Sequence, residues 1–240
     1  MEAAAISEMA ENSRNDEGFR VPNVDWSRSA RRVLTLEWID GVPISDHETL
    51  RAQGHDLKAL GARLMRTFLR HAMRDGFFHA DLHPGNLFID DQGRIVAVDF
   101  GIMGRLGLKE RRFLAEILHG FITRNYRRVA EVHFEAGYVP RRHSVEQFAQ
   151  ALRAIGEPIM DRPASEISMA RLLTQLFEVT GQFDMATQPQ LLLLQKTMVV
   201  VEGVARMLDP GFNMWTVSEP VVREWIETKL GPAGQMEGAA

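Results

Sequence analysis

The chain has 240 residues, of which 45% are hydrophobic and 25% charged, with a formal net charge of −4. This composition predicts a globular protein with one large domain or two small ones, and the lack of a strong positive field argues against nucleic acid as a partner. Cysteine is absent, which excludes disulfides and thiolate metal sites. The sequence shows neither a signal peptide nor the ~20 mostly apolar residues of a transmembrane helix, so we expect a cytoplasmic chain.

The N-terminal part of the chain predicts one helix and two strands. Residues 2–14 carry alanines, Ile6 and Met9 among charged residues, which favours a helix. Residues 21–26 and 32–39 are β-prone and predict strands, the second of which should stop at Gly41 and Pro43. An extended segment that leaves such a strand exposes backbone N–H and C=O groups. The edge of an adenine base could bind them, although a bare edge strand fits the same pattern.

Two helices are predicted next, and they lead into a polar motif. Ser45 is expected to cap a short helix from residue 46, and residues 56–74 show apolar side chains at three- and four-residue intervals. The stretch 77–101, FFHADLHPGNLFIDDQGRIVAVDFG, then reads as a loop, a hairpin and a second loop. Such a hairpin brings its two ends side by side. Asn86 and Asp99 should therefore direct oxygen ligands, which Mg²⁺ prefers, into one small volume.

The spacing of the polar residues matches a phosphoryl-transfer loop, H-x-D-x-x-x-x-N followed by D-F-G. In that pattern the first Asp, here Asp81, faces the phosphoryl acceptor, while the Asn and the second Asp hold a metal ion on the nucleotide phosphates. His79, Asp81 and His83 also alternate as ligands of a transition metal would. We favour a different role for His79, as a packed residue that hydrogen-bonds backbone near Asp99.

After Gly101 the chain is predicted to be wholly helical. The expected helices cover residues 108–123, 126–136, 144–155, 165–179, 189–208 and 218–230. Residues 191–208 are the most apolar stretch and predict a buried helix. Residues 231–240 are small and polar and predict a disordered tail. Together these elements form an α+β arrangement, with a small strand-bearing piece and a large helical piece.

Five stretches of the chain resemble the UbiB family of atypical kinases, which is associated with ubiquinone biosynthesis. They are EAAAISEMAEN, RRVLTLEWIDGVPISD, FFHADLHPGNLFID, IVAVDFGIMGRL and RRVAEVHFEAGYVP, and the resemblance spans about residues 2–230. It implies a protein-kinase-like C-lobe, mostly helical, with a remnant of the small β lobe. Residues 1–43 would be that remnant, residues 44–230 the large lobe, and residues 231–240 the tail.

The resemblance also implies which residues bind the cofactors ATP and Mg²⁺. Asp81 would be the catalytic residue, with Asn86 and Asp99 as the metal ligands. The hinge that touches adenine would be formed by three residues, Glu37, Trp38 and Ile39. Glu2 lies where the family has the helix glutamate that pairs with the nucleotide-binding lysine, although Glu8 lies on the same helix.

Several family features are missing from this sequence. No lysine-bearing strand and no phosphate-covering loop precede Glu2, and the KxGQ motif and the C-terminal hydrophobic helices are absent. Ala80 stands where regulated protein kinases have Arg, His83 where they have Lys, and no A-P-E follows Gly101. We therefore expect no protein phosphorylation. The chain as given should bind nucleotide weakly and hydrolyse it hardly at all, so the atypical kinase or ATPase activity is assigned to a longer parent protein.

The function predicted from the sequence is Mg²⁺-dependent adenine-nucleotide binding in support of ubiquinone biosynthesis. Two alternatives remain, a small-molecule phosphotransferase of the aminoglycoside or choline kinase type and a non-catalytic nucleotide-binding scaffold. Quinone-biosynthesis proteins are candidate partners. An anionic surface such as the inner membrane is another, because basic residues cluster at Arg105, Lys109, Arg111, Arg112, Arg127, Arg128, Arg141 and Arg142. A solvated helix face is the favoured interpretation of these clusters.

Overall fold

A computed structural model describes residues 1–160, 178–186 and 189–229 of the chain. The chain divides into two units. The first comprises Met1–Leu106 and Leu192–Phe212, and the second comprises Gly107–Leu191 and Asn213–Ala240. Every predicted site residue belongs to the first unit. The predicted tail and all but the last two residues of the predicted helix 165–179 lie outside the described residues.

Eight α-helices of the described residues are named in chain order: α1 (Glu2–Asn12), α2 (His47–Ala52), α3 (Leu57–Arg70), α4 (Leu108–Ile122), α5 (Tyr126–Glu135), α6 (Val145–Met160), α7 (Pro189–Leu208) and α8 (Met214–Lys229). Residues 178–182 are helical as well. The strands are β1 (Phe19–Arg20), β2 (Gly41–Pro43), β3 (Phe77–His79), β4 (Leu87–Asp90), β5 (Ile95–Ala97) and β6 (Met103–Arg105). A π-helical turn, His71–Asp75, continues α3.

The strands form two small sheets in the first unit. The larger has the order β1-β5-β4-β2, with β4 and β5 as an antiparallel hairpin that pairs Leu87 with Ala97. The smaller pairs β3 with β6 and places Phe78 opposite Gly104. These two sheets carry the two ends of the polar motif, because β3 leads into Asp81 and β5 leads into Asp99.

Local sequence signals explain the elements that agree with the prediction. The Asp56 side chain accepts a hydrogen bond from Ala59 N at 3.1 Å and so begins α3 where the prediction placed it. Gly76 ends the following turn with a φ of 66°, a left-handed conformation that suits glycine. The predicted hairpin is confirmed. The helices expected near the positions of α1, α4, α5 and α7 are present as well.

The two strands predicted at residues 21–26 and 32–39 are wrong. Only isolated bridges occur there, between Val24 and Leu36 and between Ala30 and Val33. The Asp25 side chain caps a 3₁₀ turn at Trp26–Arg28, and this turn ends the extended backbone early. A strand lies instead at Gly41–Pro43, on the edge of the sheet. An edge strand has no partner on its outer side, so the missing N–H of Pro43 costs no hydrogen bond there.

The chain after Gly101 is not wholly helical, because β6 follows at once. Its partner β3 lies just before Asp81, so the paired strands flank the segment that contains the polar motif. A Cβ atom at Gly104 would overlap the ring of Phe78, and glycine therefore permits this pairing. Strands of three residues are too short to show an alternating pattern, which is why the sequence did not indicate them.

Helix starts also differ from the prediction at two places. Asp46, not Ser45, caps α2 by accepting from Thr49 N at 3.1 Å. Helix α8 begins before Ser218, because the Asn213 side chain accepts from Trp215 N at 3.0 Å. Ser218 is instead buried inside that helix. In both cases a nearby side chain, directly after Ser45 and five residues before Ser218, caps the helix instead of the predicted residue.

Helix α7 is amphipathic rather than buried throughout. Leu194, Val201 and Val204 lie on its buried face, whereas Leu192 and Met207 are about half exposed. Within the described part of the chain, no helix is long and apolar enough to cross a membrane.

Candidate active site

His79 occupies the end of β3, where it is buried and hydrogen-bonded at both ring nitrogens. Nε2 donates to the Val98 carbonyl at 3.0 Å, and Nδ1 accepts from the Asp81 backbone N–H at 3.1 Å. Burial lowers the pKa of His79 below its ordinary value, although the hydrogen bond to Val98 opposes this shift. A neutral ring with its proton on Nε2 satisfies both bonds. The predicted role of His79, a packed residue bonded to backbone beside Asp99, is confirmed.

Asn86 ends a short 3₁₀ turn, Pro84–Asn86, and is buried at the entrance of β4. Its Nδ2 donates to the Asp81 carbonyl at 3.0 Å. Its own carbonyl accepts from Val98 N at 2.9 Å. With the amide nitrogen used in this way, the amide oxygen is the side-chain atom left to bind a cation.

Asp99 directly follows Val98, so it leaves the hairpin at the end where Asn86 enters. The hydrogen bond between Val98 N and the Asn86 carbonyl holds Asn86 beside Val98 and therefore near Asp99. Asp99 has a φ of 60°, in the left-handed region that Asp adopts more readily than most side chains. It is exposed, and one carboxylate oxygen accepts from Gly101 N at 3.3 Å. The carboxylate therefore remains accessible to solvent and to a ligand.

Asp81 lies in the loop between β3 and the 3₁₀ turn, with about a third of its side chain exposed. Its carboxylate is 3.8 Å from His83 Nε2, which is too long for a direct hydrogen bond. The backbone on both sides of Asp81 is anchored by His79 and Asn86. The side chain is thus presented at the surface of the first unit by a rigid backbone.

Glu2 contacts the segment that follows Asp99. Its Oε1 accepts a hydrogen bond from Phe100 N at 3.1 Å, which links α1 to the D-F-G segment. Glu8 points elsewhere and forms a double hydrogen bond with Arg105. Glu2, not Glu8, therefore faces the candidate site, and its pairing with a lysine stays a prediction.

The hinge predicted at Glu37, Trp38 and Ile39 is an extended segment without strand pairing. The Glu37 carboxylate binds Arg20 at 3.0 Å and also accepts from the backbone and side chain of Asn23. Burial alone would raise the pKa of Glu37, but these hydrogen bonds hold it below the ordinary value. Trp38 is 88% exposed. No backbone hydrogen bond in the described residues uses the Glu37 carbonyl or the Ile39 N–H, so both remain available to a ligand.

The transition-metal alternative does not fit this geometry. Both ring nitrogens of His79 are occupied by backbone groups, and His83 Nδ1 accepts from Gly85 N at 3.1 Å. Among the described residues there is no group of three or more His, Asp or Glu that could hold a metal ion. Mg²⁺ commonly takes one or two protein ligands and fills the rest of its shell with phosphate oxygens and water. Asn86 and Asp99 suit that mode of binding.

The basic clusters are largely ion-paired. Five of the eight residues bind carboxylates: Arg105, Arg112, Arg127, Arg128 and Arg142. Arg128 alone contacts both Glu116 and Glu135. Pairing of this kind reduces the positive potential available to a lipid surface and is consistent with a solvated helix face.

Sequence reasoning missed one residue of this region, Thr197 of α7. Its hydroxyl is 3.2 Å from the carbonyl of Ala80, between His79 and Asp81. The available signal was a hydroxyl among the mostly apolar residues of the buried face of α7, and no motif identifies it.

Two family models match parts of this chain. Residues 1–133 match the ABC1 atypical kinase-like domain, and residues 152–213 match the UbiB helical domain. The chain is 38% identical to a probable protein kinase UbiB of Marinobacter nauticus, with 97% of the chain and 43% of the relative aligned. It is 43% identical to a protein of the same name from Xylella fastidiosa, with 88% and 40% aligned. The chain therefore spans less than half the length of these relatives.

A solved structure, the complex of Rv3197 with erythromycin from Mycobacterium tuberculosis, is also similar. Its TM-score is 0.64 at 26% identity, and the alignment covers 92% of this chain and 56% of Rv3197. The similarity confirms the predicted α+β, protein-kinase-like fold. The lobe boundary at residue 43 remains a prediction.

Proposed function

Because this chain belongs to the ABC1 atypical kinase-like family, as its resemblance to UbiB predicted, we propose that it binds ATP with Mg²⁺. The whole protein would use this nucleotide for phosphoryl transfer or hydrolysis. The observation that carries the proposal is the end of the β4–β5 hairpin. There the Asn86 amide oxygen and the exposed Asp99 carboxylate lie on neighbouring chain segments. Both are ligands of the kind that Mg²⁺ prefers.

Each residue has a distinct role in this proposal. Asn86 and Asp99 would hold the cation, which would neutralise charge on the phosphates. Asp81 faces the acceptor and takes the proton of an attacking hydroxyl or water. Glu2 fixes the backbone next to Asp99 through its hydrogen bond to Phe100 N. His79 sets the backbone of Asp81 and carries no charge itself.

The hinge segment supplies the adenine site. The Glu37 carbonyl would accept a hydrogen bond from the edge of the base, and the Ile39 N–H would donate one to it, as a strand backbone does. The Glu37 side chain is already bound to Arg20 and Asn23, so Glu37 would contact adenine through its backbone. Trp38, being exposed, would lie beside this edge and report on binding through its fluorescence.

Support of ubiquinone biosynthesis is the process we propose for the whole protein. It rests on the resemblance to the UbiB family, whose aligned members are more than twice as long as the part that the chain spans. Quinone-biosynthesis proteins would then be the partners. An anionic membrane surface is a weaker candidate, because most of the basic clusters are ion-paired.

A nucleotide titration tests the proposal. A fluorescent ATP analogue is titrated into the wild-type chain and into Asp99→Asn, Asp81→Asn and Asp91→Asn, with and without Mg²⁺. Asp91 is an exposed carboxylate in the hairpin turn and serves as the matched control. We expect Asp99→Asn to weaken Mg²⁺-dependent binding at least about tenfold, because one anionic metal ligand is lost. Asp81→Asn and Asp91→Asn should bind as the wild type does.

Two outcomes contradict the proposal. One is an equal loss of affinity in Asp99→Asn and Asp81→Asn, which would deny the two carboxylates separate roles. The other is binding that does not respond to Mg²⁺ in any variant.

A further inference from the structure

The peptide group between Ala80 and Asp81 is held at both of its polar atoms. Its N–H, which belongs to Asp81, donates to His79 Nδ1 at 3.1 Å. Its carbonyl, which belongs to Ala80, accepts from Thr197 Oγ1 at 3.2 Å. His79 is part of the polar motif, whereas Thr197 lies 117 residues beyond Ala80 in α7. A distant helix therefore fixes the peptide plane that precedes Asp81.

The peptide group on the other side of Asp81 is anchored as well. The Asp81 carbonyl accepts from Asn86 Nδ2 at 3.0 Å. The Cα atom of Asp81 thus lies between two fixed peptide planes, which leave little freedom to φ and ψ. The direction of the Cα–Cβ bond, and with it the reach of the carboxylate, follows from three side chains: His79, Asn86 and Thr197.

Thr197 is itself held firmly in place. It is 1% exposed, and its hydroxyl also reaches the Leu193 carbonyl one turn earlier in α7, at 2.8 Å. One hydroxyl hydrogen is shared between the two acceptors, so both restrict the Thr197 side-chain rotamer. Helix α7 in turn approaches α3 closely at one point, where a Cβ at Gly61 would lie 3.2 Å from the Ala205 carbonyl.

We infer that Thr197 is a positioning residue for Asp81, holding the Ala80–Asp81 peptide so that the carboxylate faces the phosphoryl acceptor. This inference rests on the proposed function, because it assigns Asp81 to the acceptor. Thr197 lies within the match to the UbiB helical domain, and Asp81 lies within the match to the ABC1 domain. The helical domain therefore contributes a contact on which the geometry of the catalytic loop depends.

The test uses three variants of the full chain, studied by NMR. Thr197→Val removes the hydroxyl and keeps the shape, Thr197→Ser keeps the hydroxyl, and Val204→Ala creates a cavity on the same buried face of α7. The amide exchange rate of Asp81 is divided by that of Ile95, whose N–H is bonded to Gly18 in the same unit. Exchange through global unfolding affects both amides, whereas a local loosening of the Ala80–Asp81 peptide affects the Asp81 amide alone. Three-bond couplings to the Asp81 carboxyl carbon report the side-chain torsion.

We expect Thr197→Val to raise the ratio about fivefold, the factor that corresponds to one hydrogen bond of average strength, and to average the Asp81 torsion over several rotamers. Thr197→Ser should restore both values, and Val204→Ala should leave both unchanged. A ratio that rises equally in Thr197→Val and Val204→Ala, or in neither, overturns the inference. A wild-type chain that binds no Mg²⁺–ATP overturns the proposed function instead, and the two failures are told apart because the exchange ratio needs no nucleotide.

Discussion

Replacing Gly104 by alanine tests how the short β3–β6 sheet supports the loop that contains Asp81. The new Cβ would overlap three ring atoms of Phe78, the residue directly opposite in the sheet. Phe78 cannot easily retreat, because it is fully buried and packs edge-on against Phe68 with ring centroids 5.8 Å apart. The strands must therefore separate or shift. Either movement would also displace His79, the next residue of β3.

The expected cost is about 2–3 kcal/mol in the free energy of unfolding, the upper part of the range for overpacking a core. Gly203→Ala is the matched control in the same unit. No atom lies within 4 Å of a Cβ at Gly203, and it sits inside α7, so alanine should stabilise the protein by roughly 0.5–1 kcal/mol. Urea unfolding of both variants measures the two values. A loss below about 0.5 kcal/mol for Gly104→Ala would refute the role of close strand packing.

Two further predictions concern stability. Burial lowers the pKa of His133, whose Nδ1 bonds the Val129 carbonyl at 2.7 Å. The folded imidazole stays neutral while the unfolded one takes up a proton near its ordinary pKa of 6.5. Above pH 6.5 His133 therefore does not lower the free energy of unfolding. As the pH falls below 6.5, His133 lowers the free energy of unfolding by up to about 1.4 kcal/mol per pH unit. Urea unfolding between pH 5 and 8 should show a smaller slope for His133→Phe than for the wild type, and equal slopes would contradict the prediction. On α1, Glu2→Ala should cost about 1 kcal/mol by removing the acceptor of Phe100 N, whereas Glu8→Ala should cost less than about 0.5 kcal/mol because its pair with Arg105 is exposed. Equal costs in the same assay would count against a special role for Glu2.

The parts of the fold that the sequence predicted depend on local signals. The β4–β5 hairpin has an Asp-Asp-Gln-Gly turn between two apolar runs, and α3 has a regular apolar stripe between Asp56 and Gly76. The juxtaposition of Asn86 and Asp99 followed from the hairpin alone, because a hairpin brings its ends together whatever surrounds it. The polar motif could thus be placed correctly without knowledge of the tertiary structure.

The remaining features depend on contacts between distant residues. The β3–β6 pair exists because Gly104 accommodates Phe78, and neither strand is long enough to be recognised by itself. Residues 21–39 have β propensity, but Asp25 caps a turn within them and no neighbouring strand pairs with most of the segment. Thr197 reaches Ala80 across 117 residues, and nothing in the local sequence of α7 indicates its partner.

Direct placement of a divalent cation tests whether Asn86 and Asp99 share one metal site. Crystals of the chain grown with Mn²⁺ and a non-hydrolysable ATP analogue would locate the cation by its anomalous scattering. We expect one peak within about 2.5 Å of both the Asn86 amide oxygen and an Asp99 carboxylate oxygen. The γ-phosphate of the nucleotide should be a further ligand of the cation. The same peak should be lost in Asp99→Asn. A cation held by other residues, or a nucleotide bound without contact to Asn86 and Asp99, would contradict the proposed site.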